Sequence, residues 1–186
     1  MVKFIYMWLF IIHMLKELTT LELFFQDPIK VYSAREIARA SKISHITVAK
    51  KLKTYNFVER AKYGPYEGFK ANITPEFTQL RFVRNYFKLH ESGLVNYLLK
   101  AYNYPTILLF GSYATATQTP KSDIDILIIA DKIDEVPLSE FEKKLGHNIQ
   151  LFIHKKSEME KLKKDSPQLV NSWCNGLILY GELEVF

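Results

Sequence analysis

One cysteine, Cys174, is all the sulfhydryl chemistry that the 186 residues hold. That excludes an internal disulfide and a zinc site built from a cysteine cluster. It makes a reducing, cytoplasmic setting the expectation. Apolar runs of membrane length are also missing. The stretch Phe4 to Leu15 is almost wholly apolar, yet a span needs about 20 such residues. No small-residue cleavage site follows it, which argues against a signal peptide. Leu9, Ile12, Leu15, Leu18 and Leu21 recur at helical spacing, which predicts a core or dimer helix and no membrane anchor. Internal repeats and low-complexity segments are absent. At 48% hydrophobic and 24% charged residues, the chain reads as globular.

Acidic residues are scarce in one stretch. Residues 30–70 hold ten Lys/Arg against three Glu, whereas residues 105–186 hold nine Lys against twelve Asp/Glu. A basic half joined to a mildly acidic half predicts two domains with different partners, 1–104 and 105–186, with Tyr102-Asn103-Tyr104-Pro105 as the junction. The basic half is the candidate for nucleic acid.

In that half, Ser33-Ala34-Arg35-Glu36 reads as a capping box opening a short helix. Ser41-Lys42-Ile43 forms a turn, and Ser44 caps a second helix from His45 to about Tyr55. Val48, Leu52 and Tyr55 share its inner face, which leaves His45, Thr47, Lys50 and Lys51 outward. Val58 to Ile73 carries two extended segments around Gly64-Pro65 and Gly68. Thr74-Pro75-Glu76 opens a long helical stretch that runs to Tyr102, with a break at Ser92-Gly93. The region Val31 to Ile73 resembles winged helix-turn-helix domains. That resemblance implies double-stranded DNA as a partner, with the second helix in the major groove. His45, Thr47 and Lys50 would face base edges. Ser44, Lys51, Lys53 and Arg60 would hold phosphates, and Lys62 would lie on the wing. A protein-interaction winged helix is the alternative. Regulators of this type often dimerise, so a homodimer is expected, with the first helix and the Phe77–Tyr102 stretch as candidate surfaces.

The second half alternates apolar strands with helices, which predicts an α/β (α+β) layer structure. Ile107-Leu108-Leu109-Phe110 ends in Gly111-Ser112, and Ser122-Asp123-Ile124-Asp125 opens the run Ile126-Leu127-Ile128-Ile129. Alternation along a strand puts Asp123 and Asp125 on one face. Two carboxylates so placed suit a divalent cation, and magnesium accepts oxygen ligands while keeping substrate phosphates in its shell. Gly111 allows close backbone approach, and Ser112 offers a hydroxyl and an N–H to a phosphate. Ser139-x-x-Glu142 and Ser157-x-x-Glu160 read as helix starts, and Pro167 to Tyr180 reads as a final apolar helix.

Gly-Ser, ten residues, Asp-x-Asp resembles the signature of the DNA polymerase beta-type nucleotidyltransferases, in particular the minimal ones. The resemblance covers about residues 105–182. It implies transfer of a nucleoside monophosphate from an NTP to a hydroxyl, with Ser112 at the triphosphate and Asp123 and Asp125 at magnesium. Minimal nucleotidyltransferases commonly act as antitoxins beside a small helical toxin, so such a partner, and autorepression, are further expectations. Two positions depart from the pattern. Thr115-Ala116 stands where the family often carries Arg-Gly, and Gln150 stands where active members carry a third carboxylate. Glutamine offers a metal a carbonyl oxygen but no charge, and it cannot act as a base. His147, Glu142 and His154 lie nearby without matching that position. Gln150 therefore keeps open a non-enzymatic regulator that binds nucleotide or a partner protein.

Overall fold

The structure, a computed structural model, describes residues 18–131 and 134–184. The apolar helix expected over Phe4–Leu15 lies outside the described residues. Contacts divide the chain into two compact units, one ending at Phe77 and the other beginning at Thr78. The contact boundary thus falls earlier than the Tyr102–Pro105 junction expected from composition. Leu89, Leu94, Val95 and Leu98 belong to the core of the second unit, which draws their helices into it.

In the first unit a 3-10 turn, Thr19–Leu21, leads into α1 (Glu22–Gln26). Helices α2 (Ala34–Ser41) and α3 (His45–Leu52) follow. Both begin where serines can cap them. Ser33 accepts a hydrogen bond from Glu36 N, and the Glu36 carboxylate accepts from Ser33 N at 2.8 Å, closing the expected box. Ser44 Oγ accepts from Thr47 N. Strands β1 (Val58–Tyr63) and β2 (Tyr66–Ala71) pair as an antiparallel ribbon across Gly64-Pro65, where Gly64 takes a positive φ. Tyr32, between α1 and α2, forms a bridge to Phe69 of β2. Buried Phe24, Ile37, Val48, Leu52 and Phe57 supply the apolar interior.

Helix α4 (Pro75–Ser92) starts in the first unit and continues into the second. Gly93, at φ +84°, breaks it from α5 (Leu94–Ala101), as the Ser92-Gly93 step predicts. Left-handed backbone costs a non-glycine residue about 1–2 kcal/mol, which is why glycine sits at the break.

The second unit is built on a four-stranded sheet ordered β5-β4-β3-β6. Its strands are β3 (Thr106–Phe110), β4 (Ile124–Ile129), β5 (Ile149–His154) and β6 (Leu177–Tyr180). β3 runs antiparallel to β4 and β6, while β4 and β5 are parallel. The remaining helices are α6 (Gly111–Ala114), α7 (Ser139–Leu145), α8 (Met159–Asp165) and α9 (Pro167–Cys174). Period-2 alternation splits the strand residues between two cores. Ile107, Leu109, Ile124, Ile126, Ile128 and Ile149 pack with α5 and Leu145. Leu108, Phe110 and Leu127 pack with Met159, Val170 and Trp173. A mixed sheet with helices on its faces agrees with the α+β expectation.

Three local expectations are corrected. Pro167 to Tyr180 is not one helix: it ends at Cys174, and Leu177–Tyr180 pairs with β3. A Cβ at Gly176 would come within 2.6 Å of the Leu109 carbonyl oxygen, so glycine is what lets the chain turn onto β3. Ser139 caps nothing, because Glu142 instead accepts from Ile149 N at 3.0 Å. Ser157 and Glu160 do not cap α8: a 3-10 turn, Lys156–Glu158, precedes it, opened by Lys155 N donating to the Glu158 carboxylate at 3.0 Å, and α8 itself has no side-chain cap.

Candidate functional site

Phe110 of β3 and Asp125 of β4 are partners in the antiparallel register. This pairing sets the turn after β3 beside the carboxylate pair at the start of β4. Gly111 takes φ +69°, and any Cβ there would collide with the Asp125 carboxylate. Two independent demands, backbone conformation and close approach, therefore select glycine. Ser112 follows on the same single helical turn and is partly exposed.

Asp123 is exposed just before β4, and Asp125 is half-buried within it. Burial first, and the negative charge of Asp123 second, raise the Asp125 carboxyl above the usual carboxylate range. Both causes penalise the ionised form of Asp125. Asn148 donates from Nδ2 to Asp123 Oδ1 at 3.2 Å. Gln150 is the in-register partner of Asp125 on β5 and is exposed. Each aspartate thus has a carboxamide residue as its neighbour across the strand pair. Among the described residues no three His, Cys, Asp or Glu side chains group together as a metal site. Two carboxylates do suit magnesium, which is commonly held by one or two carboxylates plus substrate phosphates.

The other residues that could replace a third carboxylate are engaged elsewhere. Glu142 is tied to Ile149 N. His147 Nδ1 lies 2.7 Å from Ser122 O, and the ring packs edge-on against Tyr113. A carbonyl oxygen only accepts, so Nδ1 carries the proton. His154 sits at the last position of β5, its ring beside Trp173 and its Nδ1 3.6 Å from Glu158. A cleft of about 440 Å³ is lined by residues that include Lys121, Ser122, Lys143, His147 and Asn148, and neither Asp123 nor Asp125 lines it.

The loop after Ser112 holds features that the motif does not announce. Ala116 has φ +58°. Arg81 of α4 donates to the carbonyl oxygens of Ala116 at 2.9 Å and Gln118 at 2.6 Å. Asn85 Nδ2 donates to Tyr113 O at 2.9 Å, and Asn85 Oδ1 accepts from Gln118 Nε2 at 2.8 Å. All three polar side chains are buried. A sequence signal for them exists: Phe77, Arg81, Asn85 and Leu89 recur every four residues, and polar groups interrupt an inward stripe.

In the first unit, Ser44, His45, Thr47 and Lys50 are all exposed along α3, with Ile46 between them 60% exposed. Lys51 is half-buried, and Lys53 is exposed just past the helix. The Ser44 and Thr47 hydroxyls lie 2.8 Å apart, so each is already partly committed. On the ribbon Lys62 is exposed, whereas Arg60 is paired with Glu67 at 2.9 Å.

Residues 93–182 match the family model described as Polymerase beta, Nucleotidyltransferase. The matched span contains Gly111, Ser112, Asp123, Asp125 and Gln150, and over it the chain is similar to that family. No curated protein and no solved structure matches the chain. Among the described residues, no helix is long and apolar enough to cross a membrane.

Proposed function

We propose that the second unit transfers a nucleoside monophosphate from a magnesium-bound NTP to a hydroxyl acceptor. The observation that carries this reading is the contact between the Gly111 turn and the Asp125 carboxylate, set by the Phe110–Asp125 pairing. A phosphate-binding turn beside a carboxylate pair is the minimum that nucleotidyl transfer needs. Asp123 and Asp125 would hold magnesium, which supplies charge neutralisation at the phosphates. Ser112 would donate to the triphosphate, and Asn148 restrains Asp123 through its amide. Incubation with labelled ATP, GTP, CTP or UTP, magnesium and candidate acceptors, including the neighbouring gene's product, tests the proposal. Label transfer that disappears in Asp123→Ala and Asp125→Ala supports it. Retained NTP binding without transfer would favour the second reading, a regulator that binds nucleotide without turnover. Gln150 opposite Asp125 is the specific observation on that side.

The first unit is proposed to be a winged helix that binds double-stranded DNA. The order of three helices and a ribbon, with Tyr32 bridged to Phe69, supports this. So does the exposed row Ser44, His45, Thr47 and Lys50. An antitoxin that represses its own operon, acting as a homodimer in the cytoplasm beside a small helical partner, would combine both units. A gel shift on the gene's upstream DNA tests the DNA reading. Replacing Lys50, Lys51 and Lys53 by Ala should weaken binding and flatten its salt dependence. Unchanged binding would remove α3 from the interface.

A further inference from the structure

Within the second unit, the buried polar side chains Arg81, Asn85 and Gln118 converge on the segment that follows the Gly111-Ser112 turn. Arg81 and Asn85 are four residues apart on α4, so they stand on one face of the helix. Between them they take the carbonyl oxygens of Tyr113, Ala116 and Gln118. Loop N–H groups are held as well: Thr115 N donates to Gly111 O, and Thr117 N to Ser112 O at 2.9 Å. Within the loop the Thr115 hydroxyl bonds to Gly111 O and Ser112 O, yet Ala116 stands in a left-handed conformation that its own side chain does not favour, and the donors from α4 hold the carbonyl on that residue.

We propose that Arg81 and Asn85 are positioning residues that hold the Gly111–Gln118 loop in the shape that receives the triphosphate. This rests on the nucleotide-binding reading of the same site. The physical case has two parts. Carbonyl oxygens repel phosphate, and this network ties three of them to α4 donors. The guanidinium also places positive charge behind the loop, where burial strengthens its field. Neither residue touches the nucleotide, so both act through the loop.

The test is calorimetric titration of the full chain with MgATP, and separately with Mn²⁺ alone. The variants are Asn85→Ala, Arg81→Gln and Arg81→Lys. Losing a buried hydrogen bond of this kind should weaken MgATP binding by about tenfold in Asn85→Ala and by more in Arg81→Gln. Arg81→Lys, which keeps a donor and the charge, should recover part of the loss. Mn²⁺ affinity should stay at the wild-type level, because the carboxylates sit on and before β4, not on the loop. Equal MgATP affinity in wild type and Asn85→Ala would overturn the proposal, as would joint loss of Mn²⁺ and MgATP. Should Arg81→Gln fail to fold, Asn85→Ala decides alone. A wild-type chain that binds no MgATP would defeat the nucleotide site itself, which is a distinct outcome.

Discussion

Asp125 and Gln150 stand opposite each other in the parallel pairing of β4 and β5. A carboxamide beside a half-buried carboxylate leaves the site with the two charges of Asp123 and Asp125. A third carboxylate there would add negative charge and attract a second cation. Gln150→Asp is therefore expected to tighten Mn²⁺ binding by about tenfold, the size of one added close charge interaction. Transfer should rise with it. Titration of Mn²⁺ together with the label-transfer assay checks both, and unchanged metal affinity would mean that β5 does not face the metal.

Gly111 answers to conformation and space at once. Gly111→Ala would put a methyl on the Asp125 carboxylate in left-handed backbone. The strain alone costs about 1–2 kcal/mol. Thermal melting should report that loss, and MgATP affinity should fall by more than tenfold because the turn and the carboxylate must separate. Wild-type affinity in this variant would contradict the geometry of the turn.

Ala116 is the converse case. Its φ of +58° suits glycine, and the preceding Thr115 is held by its hydroxyl to its neighbours. Ala116→Gly relieves strain but adds unfolded-chain entropy, so the net gain should be about 0.5–1 kcal/mol. Denaturant unfolding would show a higher midpoint with unchanged slope. A lower midpoint would contradict the assigned conformation.

The first unit carries a marker of alkaline stability. Burial, and then the charges of Asp27 and Glu36, push the Tyr32 hydroxyl up from 10.0 to about 12. A raised folded-state value means that stability is complete below the unfolded value and falls as pH rises through the folded one. Loss is thus expected between pH 10 and about 12. Tyr32→Phe should flatten that portion of a stability–pH curve measured by urea unfolding. An unaltered slope would show that Tyr32 is not the group responsible.

Much of this was legible because it is local. The Ser33–Glu36 box, the Ser44 cap and the Gly93 break depend on residues within a few positions of each other. The Gly-Ser and Asp-x-Asp halves were legible because apolar runs flank them. β6 was not, since a short apolar run after a helix reads equally as more helix. What makes it a strand is a partner, β3, about 70 residues earlier. The Arg81 and Asn85 contacts were hidden for the same reason. Their partners are backbone carbonyls 28 to 37 residues away, which carry no side-chain signature.

The account stands or falls on whether the Gly111 turn and the Asp123–Asp125 pair take a metal-bound nucleoside triphosphate. Calorimetric titration of MgATP, MgGTP, MgCTP and MgUTP into wild type and Asp125→Ala measures this directly. The expected result is saturable, magnesium-dependent binding of at least one nucleotide by wild type, weakened about a hundredfold or more in Asp125→Ala. Absence of binding by wild type, or equal binding by both proteins, would contradict it.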